Sequence, residues 1–572
     1  MEMEESGDSF SSFSDPNNAV EIIYRAAADY RKALDKEEEG THNPSNTKMN
    51  SNWKPQTKDS QWRMDKWIHR QFGKMQFVAS RTLESYTWVE RRLEIRHEKN
   101  GSLRLHFIPY PSPGHMIPLC DIARLFSSRG HHVTILTTPS NAHTLHKFIS
   151  HRLRLHTVHF PSRQLGLPDG VENLAAVNNV EDSVKVHEAA MLLRGPMERF
   201  LERNPPDCIV ADFFFPWVHD VATKLRIPRL VFNGFSLFAV CAMHSIYANP
   251  IESYSNSDPN VVRDLPHRIT LNATPPTVLI DSTKPLLEME LKSHGIIVNN
   301  FAELDGEEYI QHYEKTTGHK AWHVGPVSLI CRTAEEKTER GQESVVSAHK
   351  CLSWLNSKRA NSVLYICFGS INQFSDKQLY EIACAVEASG CDFVWVVPEK
   401  KGKENESEEE KAKWMPKGFE KRNMTKGMII RGWAPQVLIL GHLSVGAFLT
   451  HCGWNSTVEA VSAGVPMIMW PVHDEQFYNE KLISEVHGIG VEVGAEEWNF
   501  IGFVVKKKVV GRESIEKAVR KLMDGGDEAE KIRQRARELG KKARAAVEEG
   551  GSSHKNLTSL IDELKRLRDS SS

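Results

Sequence analysis

The densest run of chemistry-bearing residues is Thr450-His451-Cys452-Gly453-Trp454-Asn455-Ser456, followed by Glu459. It comes straight after the apolar Phe448-Leu449 and leads into a helical pattern starting near Asn455. A helix start offers free backbone N–H groups and the positive end of a dipole, and Gly453 allows close approach, so the run suits a phosphate. Ser456-x-x-Glu459 also matches a capping box, which accounts for two residues but not for His451, Gly453 and Trp454. Phe368-Gly369-Ser370 is a weaker anion cradle of the same kind. No G-x-G-x-x-G follows a strand and no G-x-x-x-x-G-K-[ST] occurs, which argues against nicotinamide dehydrogenase and P-loop kinase chemistry. His442, His451 and Cys452 lack the companions of a tetrahedral zinc site, so no metal is assigned.

A histidine at the end of a strand is the second feature. Pro113-Gly114-His115 follows the apolar stretch Leu103–Pro109. With a pKa near ~6.5, an imidazole is mostly neutral at cytosolic pH and can take a hydroxyl proton. On pattern alone it reads as a lone loop histidine. His106, His131 and His132 lie within strands or turns and read as structural.

These residues need strands that end where they begin. Leu103–Pro109, Val133–Thr137, Cys208–Ala211 and Arg229–Phe232 read as strands, with helices over Pro118–Ser128 and Val218–Leu225. Pro118 suits a first helical turn, where its missing N–H costs nothing. A second series has strands Ser362–Phe368, Phe393–Val397, Met428–Arg431, Ala447–Thr450 and Met467–Trp470, with a helix over Ser375–Ser389. Glu399–Lys413 reads as a solvated loop. Alternating β and α elements predict parallel sheets covered on both faces, with ligands beyond the carboxyl ends of the strands. The chain divides into an N-terminal extension (1–102), a first α/β domain (103–330), a charged linker (331–348) and a second α/β domain (349–572).

At 572 residues the chain is too long for one core. A net charge of −2 gives no global attraction to nucleic acid or to an acidic membrane. Nine cysteines without a C-x-x-C pair fit a reducing, cytoplasmic setting. The N-terminus has no apolar signal core. The uncharged stretch Leu230–Ile251 holds too many polar groups to span a bilayer and reads as a strand running into a buried helix. The extension differs in texture: residues 1–40 carry eleven acids and four bases, residues 41–100 twelve bases and six acids. Val20, Ile23, Tyr24, Ala27, Arg31 and Leu34 fall at helical spacing, Gln61–Glu98 is compatible with helix, and Trp53, Trp62, Trp67 and Trp88 could mark a partner-binding face. A loosely ordered tail is the alternative.

Trp433-Ala434-Pro435-Gln436, His442, the run Thr450–Ser456, Glu459, Gly464-Val465-Pro466, Trp470-Pro471 and Asp474-Glu475-Gln476 all fall within the 44 residues Trp433–Gln476. At these spacings the segment resembles the signature of plant family-1 UDP-sugar-dependent glycosyltransferases, and the wider likeness runs from about Leu103 to Leu567. The resemblance implies a GT-B architecture, two facing doubly wound domains with the site in the cleft. It implies that Trp433 stacks on uracil, Ala434 binds it through the backbone, and Gln436 with Glu459 holds the ribose. His451, Asn455, Ser456 and Ser370 would receive the diphosphate, and Trp454, Glu475 and Gln476 the sugar hydroxyls. His115 would be the base and Asp212 its partner carboxylate. The implied enzyme is a monomeric, metal-independent, inverting transferase with no cofactor. UDP-sugar is its co-substrate, glucose the expected sugar, and a small apolar acceptor of triterpenoid sapogenin, flavonoid or coumarin type the other partner. The rival from another class is a non-catalytic UDP-sugar-binding or scaffold protein whose function resides in the extension.

Overall fold

Short strands that are apolar on both faces, separated by helices, can only stack side by side as parallel sheets. The computed structural model describes residues 101–249, 260–397, 407–498 and 508–571, all within one unit, Glu98–Ser572. The expectations for the extension, its helices and its four tryptophans lie outside the described residues.

The first sheet is built from β1 (Arg104–Ile108), β2 (His132–Thr137), β3 (Leu153–Thr157), β4 (Cys208–Asp212), β5 (Arg229–Asn233), β8 (Gly295–Val298) and β9 (Ala321–His323); β6 (Val261–Val262) and β7 (Ile269–Thr270) form a separate antiparallel pair. Its order is β3-β2-β1-β4-β5-β8-β9, parallel throughout. The second sheet holds β10 (Val363–Cys367), β11 (Asp392–Val397), β12 (Gly427–Arg431), β13 (Val445–Thr450), β14 (Met467–Met469) and β15 (Gly490–Glu492), ordered β12-β11-β10-β13-β14-β15 and also parallel. In each sheet the chain starts in the middle, winds one way, then returns to wind the other. The reversals fall between β1 and β4 and between β10 and β13, and such switch points open a crevice at the carboxyl ends. Register completes the placement. Ile108 pairs with Ala211, so the turn after β1 emerges beside Asp212; Cys367 pairs with Thr450, so Phe368-Gly369 emerges beside His451.

Five helices matter below: α1 (Pro113–Ser128), α2 (Leu237–Ala248), α3 (Ala334–Glu339), α4 (Trp454–Ala463) and α5 (Ser552–Ser571). The uncharged stretch after Leu230 resolves into β5 and the largely buried α2, and no helix among the described residues is long and apolar enough to cross a membrane. One apolar cluster runs through both domains, joining Phe238 and Tyr309 of the first to Phe448, Val458 and Phe477 of the second.

Three local expectations need correction. Helix α1 starts at Pro113 rather than Pro118, which therefore lies inside it. The end of the charged stretch, Glu408–Trp414, is a helix rather than a loop: Ser407 and Glu410 form a reciprocal capping box, and Trp414 is fully buried. Finally, α5 leaves the second domain and packs on the first, where Leu557, Leu560, Ile561 and Leu564 join Leu103, Leu105 and Phe126 in one buried cluster. Ser553 seals this return by donating its hydroxyl to the Gly325 carbonyl, at 2.5 Å.

Candidate active site

At the first switch point, His115 Nδ1 lies 3.0 Å from Asp212 Oδ2. The Asp212 side chain is fully buried and that of His115 is 15% exposed. The second carboxylate oxygen, Oδ1, accepts the Phe214 backbone N–H at 3.0 Å, which fixes its orientation. An ionised carboxylate only accepts hydrogen bonds, so the proton sits on Nδ1 and Nε2 keeps its lone pair. Burial by itself would lower the pKa of this imidazole, but Asp212 outweighs it and holds the group above its ordinary value, with help from Glu475 and Asp474. Tyr110, Phe214 and Phe235 stand around the ring with centroids 5.1–6.2 Å away, so the base opens onto an apolar wall.

At the second switch point, Gly453 is the N-cap of α4 and His451 lies just before it. The capping-box alternative at Ser456 is therefore not the one adopted; Ser456 sits in the first turn. The His451 ring is pressed between two backbones. A Cβ on Gly453 would come within 2.3 Å of Nε2, and one on Gly369, whose φ is +80°, within 2.6 Å. Burial and the neighbouring His473 push the His451 pKa down to about 3, so the ring is neutral and carries one N–H. The N–H groups of the first turn of α4 have no partner inside the helix. Together with the exposed Ser370 after β10 they make a neutral, donor-rich cradle for an anion.

The nucleotide end is a hydrogen-bonded network. Gln436 Nε2 donates to Ser456 Oγ at 3.1 Å and to Glu459 Oε2 at 2.9 Å, while its Oε1 accepts from the Tyr365 hydroxyl at 3.2 Å. Trp433 is half-buried beside them, its carbonyl accepting the Val345 N–H at 3.1 Å. His115 and all the donor residues named from the sequence, Ser370, Trp433, Ala434, Gln436, His451, Trp454, Asn455, Ser456, Glu459, Glu475 and Gln476, line one cleft of about 430 Å³. Asp212 stands behind His115. Among the described residues, no three His, Cys, Asp or Glu side chains converge as a metal site.

Three side chains are placed differently from the expectation. The Trp454 indole is buried and donates its N–H to the Asn299 carbonyl at 2.9 Å, so that group is not available to a sugar. Asn455 reaches across to the first domain instead of towards a phosphate. Its Oδ1 accepts from Asn299 Nδ2 at 3.1 Å, and its Nδ2 donates to the Gly114 carbonyl. The reason lies in α1: Pro118 has no N–H for the carbonyl four residues earlier, which is that of Gly114, and Asn455 supplies the missing donor. Gln476 Oε1 accepts the backbone N–H groups of Val472 and His473, at 2.9 and 3.2 Å, and its amide nitrogen lies 3.2 Å from His473 Nε2. Glu475, by contrast, is poised. Burial, then the Asp474 charge, raises its pKa to about 7, so near neutrality it both donates and accepts.

Asn299 and Arg340 went unnoticed in the sequence. Asn299-Asn300 follows the all-apolar Gly295–Val298, so the strand-end rule could have found the first. Arg340 sits in a charged linker where no pattern singles it out.

A family model described as UDP-glucoronosyl and UDP-glucosyl transferase matches residues 342–500. A UDP-glucosyl transferase, 73CC6, of Saponaria officinalis is 48% identical over 480 residues, covering 82% of this chain and 98% of the relative. The scopoletin glucosyltransferase of Nicotiana tabacum is 43% identical, covering 81% and 98%. Among solved structures, Glycyrrhiza uralensis UGT73P12 complexed with glycyrrhetinic acid 3-O-monoglucuronide superposes with a TM-score of 0.74 at 39% identity, covering 82% of this chain and 97% of that one. Nearly the whole length of these relatives is therefore matched, and the chain belongs to the plant family-1 UDP-sugar-dependent glycosyltransferases, with their GT-B architecture.

Proposed function

We propose that the enzyme moves glucose from UDP-glucose to a hydroxyl of a small apolar plant metabolite, a triterpenoid sapogenin, flavonoid or coumarin, with inversion at the anomeric carbon. The observation that carries this reading is the opposition of two switch points across one cleft: a buried His–Asp pair on one side, a neutral helix-start cradle on the other. The acceptor lies against the apolar wall of Phe214 and Phe235. As its oxygen attacks the anomeric carbon, its proton passes to His115 Nε2, and Asp212 stabilises the imidazolium that forms. The bond to the β-phosphate oxygen breaks on the opposite face. The leaving charge is met by the N–H groups opening α4, His451 and the hydroxyls of Ser370 and Ser456, a preorganised set that takes the place a divalent cation could fill. Trp433 and Ala434 bind uracil, Gln436 and Glu459 the ribose, and Glu475 with the Gln476 amide the sugar. The relatives' own names support the acceptor class, flavonoid and scopoletin among them. In this reading the enzyme works as a cytoplasmic monomer.

The test is a screen of UDP-sugars against a panel of hydroxylated apolar acceptors, with UDP release and product configuration read out. A β-glucoside formed from UDP-glucose, undiminished by EDTA, is expected. Loss of turnover on chelation would remove the metal-independent mechanism, and no sugar-dependent UDP release on any acceptor would remove the reading altogether.

A further inference from the structure

The linker carries a charge that the mechanism above does not use. Arg340, immediately after α3, donates from Nε to Asp121 Oδ2 at 2.8 Å and from Nη1 to Glu459 Oε1. All three side chains are at most 7% exposed. Asp121 is on α1, the helix that also carries His115, and Glu459 is on α4, the helix that opens at the diphosphate cradle. The arginine thus joins the base's helix to the nucleotide helix, two turns along α1 from the Asn455–Gly114 contact. It is held firmly. Lys147 Nζ donates to the carbonyls of Glu339 and Gly341 on either side of it, and Gly341, with φ +90°, lies so close to the Trp433 indole that a Cβ there would come within 2.4 Å of the ring.

We infer that Arg340 is a positioning residue for donor recognition: it aims the Glu459 carboxylate at the ribose cis-diol. The count of acceptor sites supports this. A carboxylate has about four lone-pair positions; Arg340 takes one on Oε1 and Gln436 one on Oε2. One remains on each oxygen, in the cleft wall, which is what two adjacent hydroxyls require. The guanidinium contact with Glu459 Oε1 is charge-assisted, which fixes the carboxylate more firmly than a neutral donor would. A lysine cannot do both jobs, because a point charge on one stem lacks the fork that spans Asp121 and Glu459. The inference rests on the reading of Glu459 as the ribose carboxylate.

The experiment measures binding of UDP and of 2′-deoxy-UDP to the full chain by calorimetry, which involves neither the sugar nor the acceptor. Wild type should prefer UDP at least ~10-fold, the worth of one hydrogen bond to a charged group. Arg340→Lys should reduce that preference to less than ~3-fold. Removing the arginine alone would leave Asp121 to Arg124, whose Nη1 lies 3.1 Å from Oδ1, and Glu459 with no cation, so the second variant pairs Arg340→Met with Asp121→Asn to limit the charge left unpaired, and it should lose the preference in the same way. If Glu459→Gln abolishes the preference while both Arg340 variants keep it, with UDP and 2′-deoxy-UDP weakened equally, Arg340 is only a structural tie and the inference falls. If Glu459→Gln also keeps the preference, the ribose reading itself falls and takes the inference with it.

Discussion

The base works only when it is neutral, and its environment sets when that happens. Asp212 holds the His115 pKa above the ordinary imidazole value despite burial. A protonated ring cannot accept the acceptor's proton, so kcat/KM should be low in acid and rise with pH through that elevated pKa. Glu475, with a pKa of about 7, interacts with His115 through its charge, so the rising limb is a property of the pair. Asp212→Asn removes the main charge that raises the pKa and leaves burial opposed only by Glu475 and Asp474. The limb should therefore move to lower pH while the plateau falls. The fall should be smaller for acidic phenols than for aliphatic alcohols, whose protons need more help; pH–rate profiles on the two acceptor types check both, and an unmoved limb would contradict the role. On pattern alone His115 is a lone loop histidine, and this pair was legible through the family resemblance, which set His115 and Asp212 at two strand ends. The fates of Trp454, Asn455 and Gln476 were not, because their partners Asn299, Gly114 and the Val472–His473 turn are set by how the chain packs rather than by the motif.

Among the elements, the start of α4 has little room. Its N-cap glycine and Gly369 after β10 hold the His451 ring between them, so a methyl group at either site must displace the imidazole. Gly453 has an ordinary backbone conformation, φ −61° and ψ 138°, so Gly453→Ala adds crowding without backbone strain. Overpacking of this kind costs about 1–3 kcal/mol. Because His451 is a ligand of the diphosphate in this account, much of that cost should appear as weaker UDP binding, roughly 5- to 100-fold. Titration with UDP, alongside a thermal melt to show the fold intact, measures it; unchanged affinity would mean the cradle does not need His451 where it stands. The start of α1 shows the limit of reading elements from sequence. Pro118 marks a helix start by every local rule, yet the helix begins five residues earlier, because the carbonyl that proline leaves bare is satisfied from the other domain. A compensation 341 residues away has no local signature.

At the scale of the molecule, the two sheets repeat one winding scheme, which the alternation of strands and helices announced, and their switch points face one cleft. The short strands β3, β8, β9 and β15 were not foreseen, since runs of three to five residues are too short to separate a strand from a helix turn. Nor was the return of α5, whose helical pattern says that one face is buried but not against which domain. That return makes the first domain depend on the last residues of the chain. Leu560 and Leu564 are fully buried against it, and Leu560→Ala should cost about 2–5 kcal/mol. A melting temperature lowered by several degrees, with UDP affinity kept once folded, is the expected outcome; an unchanged melt would show that α5 is dispensable to the first domain.

The central claim, that His115 removes the proton of an acceptor hydroxyl while the opposite wall holds UDP, is tested most directly by His115→Ala. UDP release at saturating donor and acceptor should fall roughly 10²–10⁴-fold, with UDP affinity within about twofold of wild type, because the residue acts on the acceptor and not on the nucleotide. Turnover within tenfold of wild type, in a variant that binds UDP normally, would contradict it.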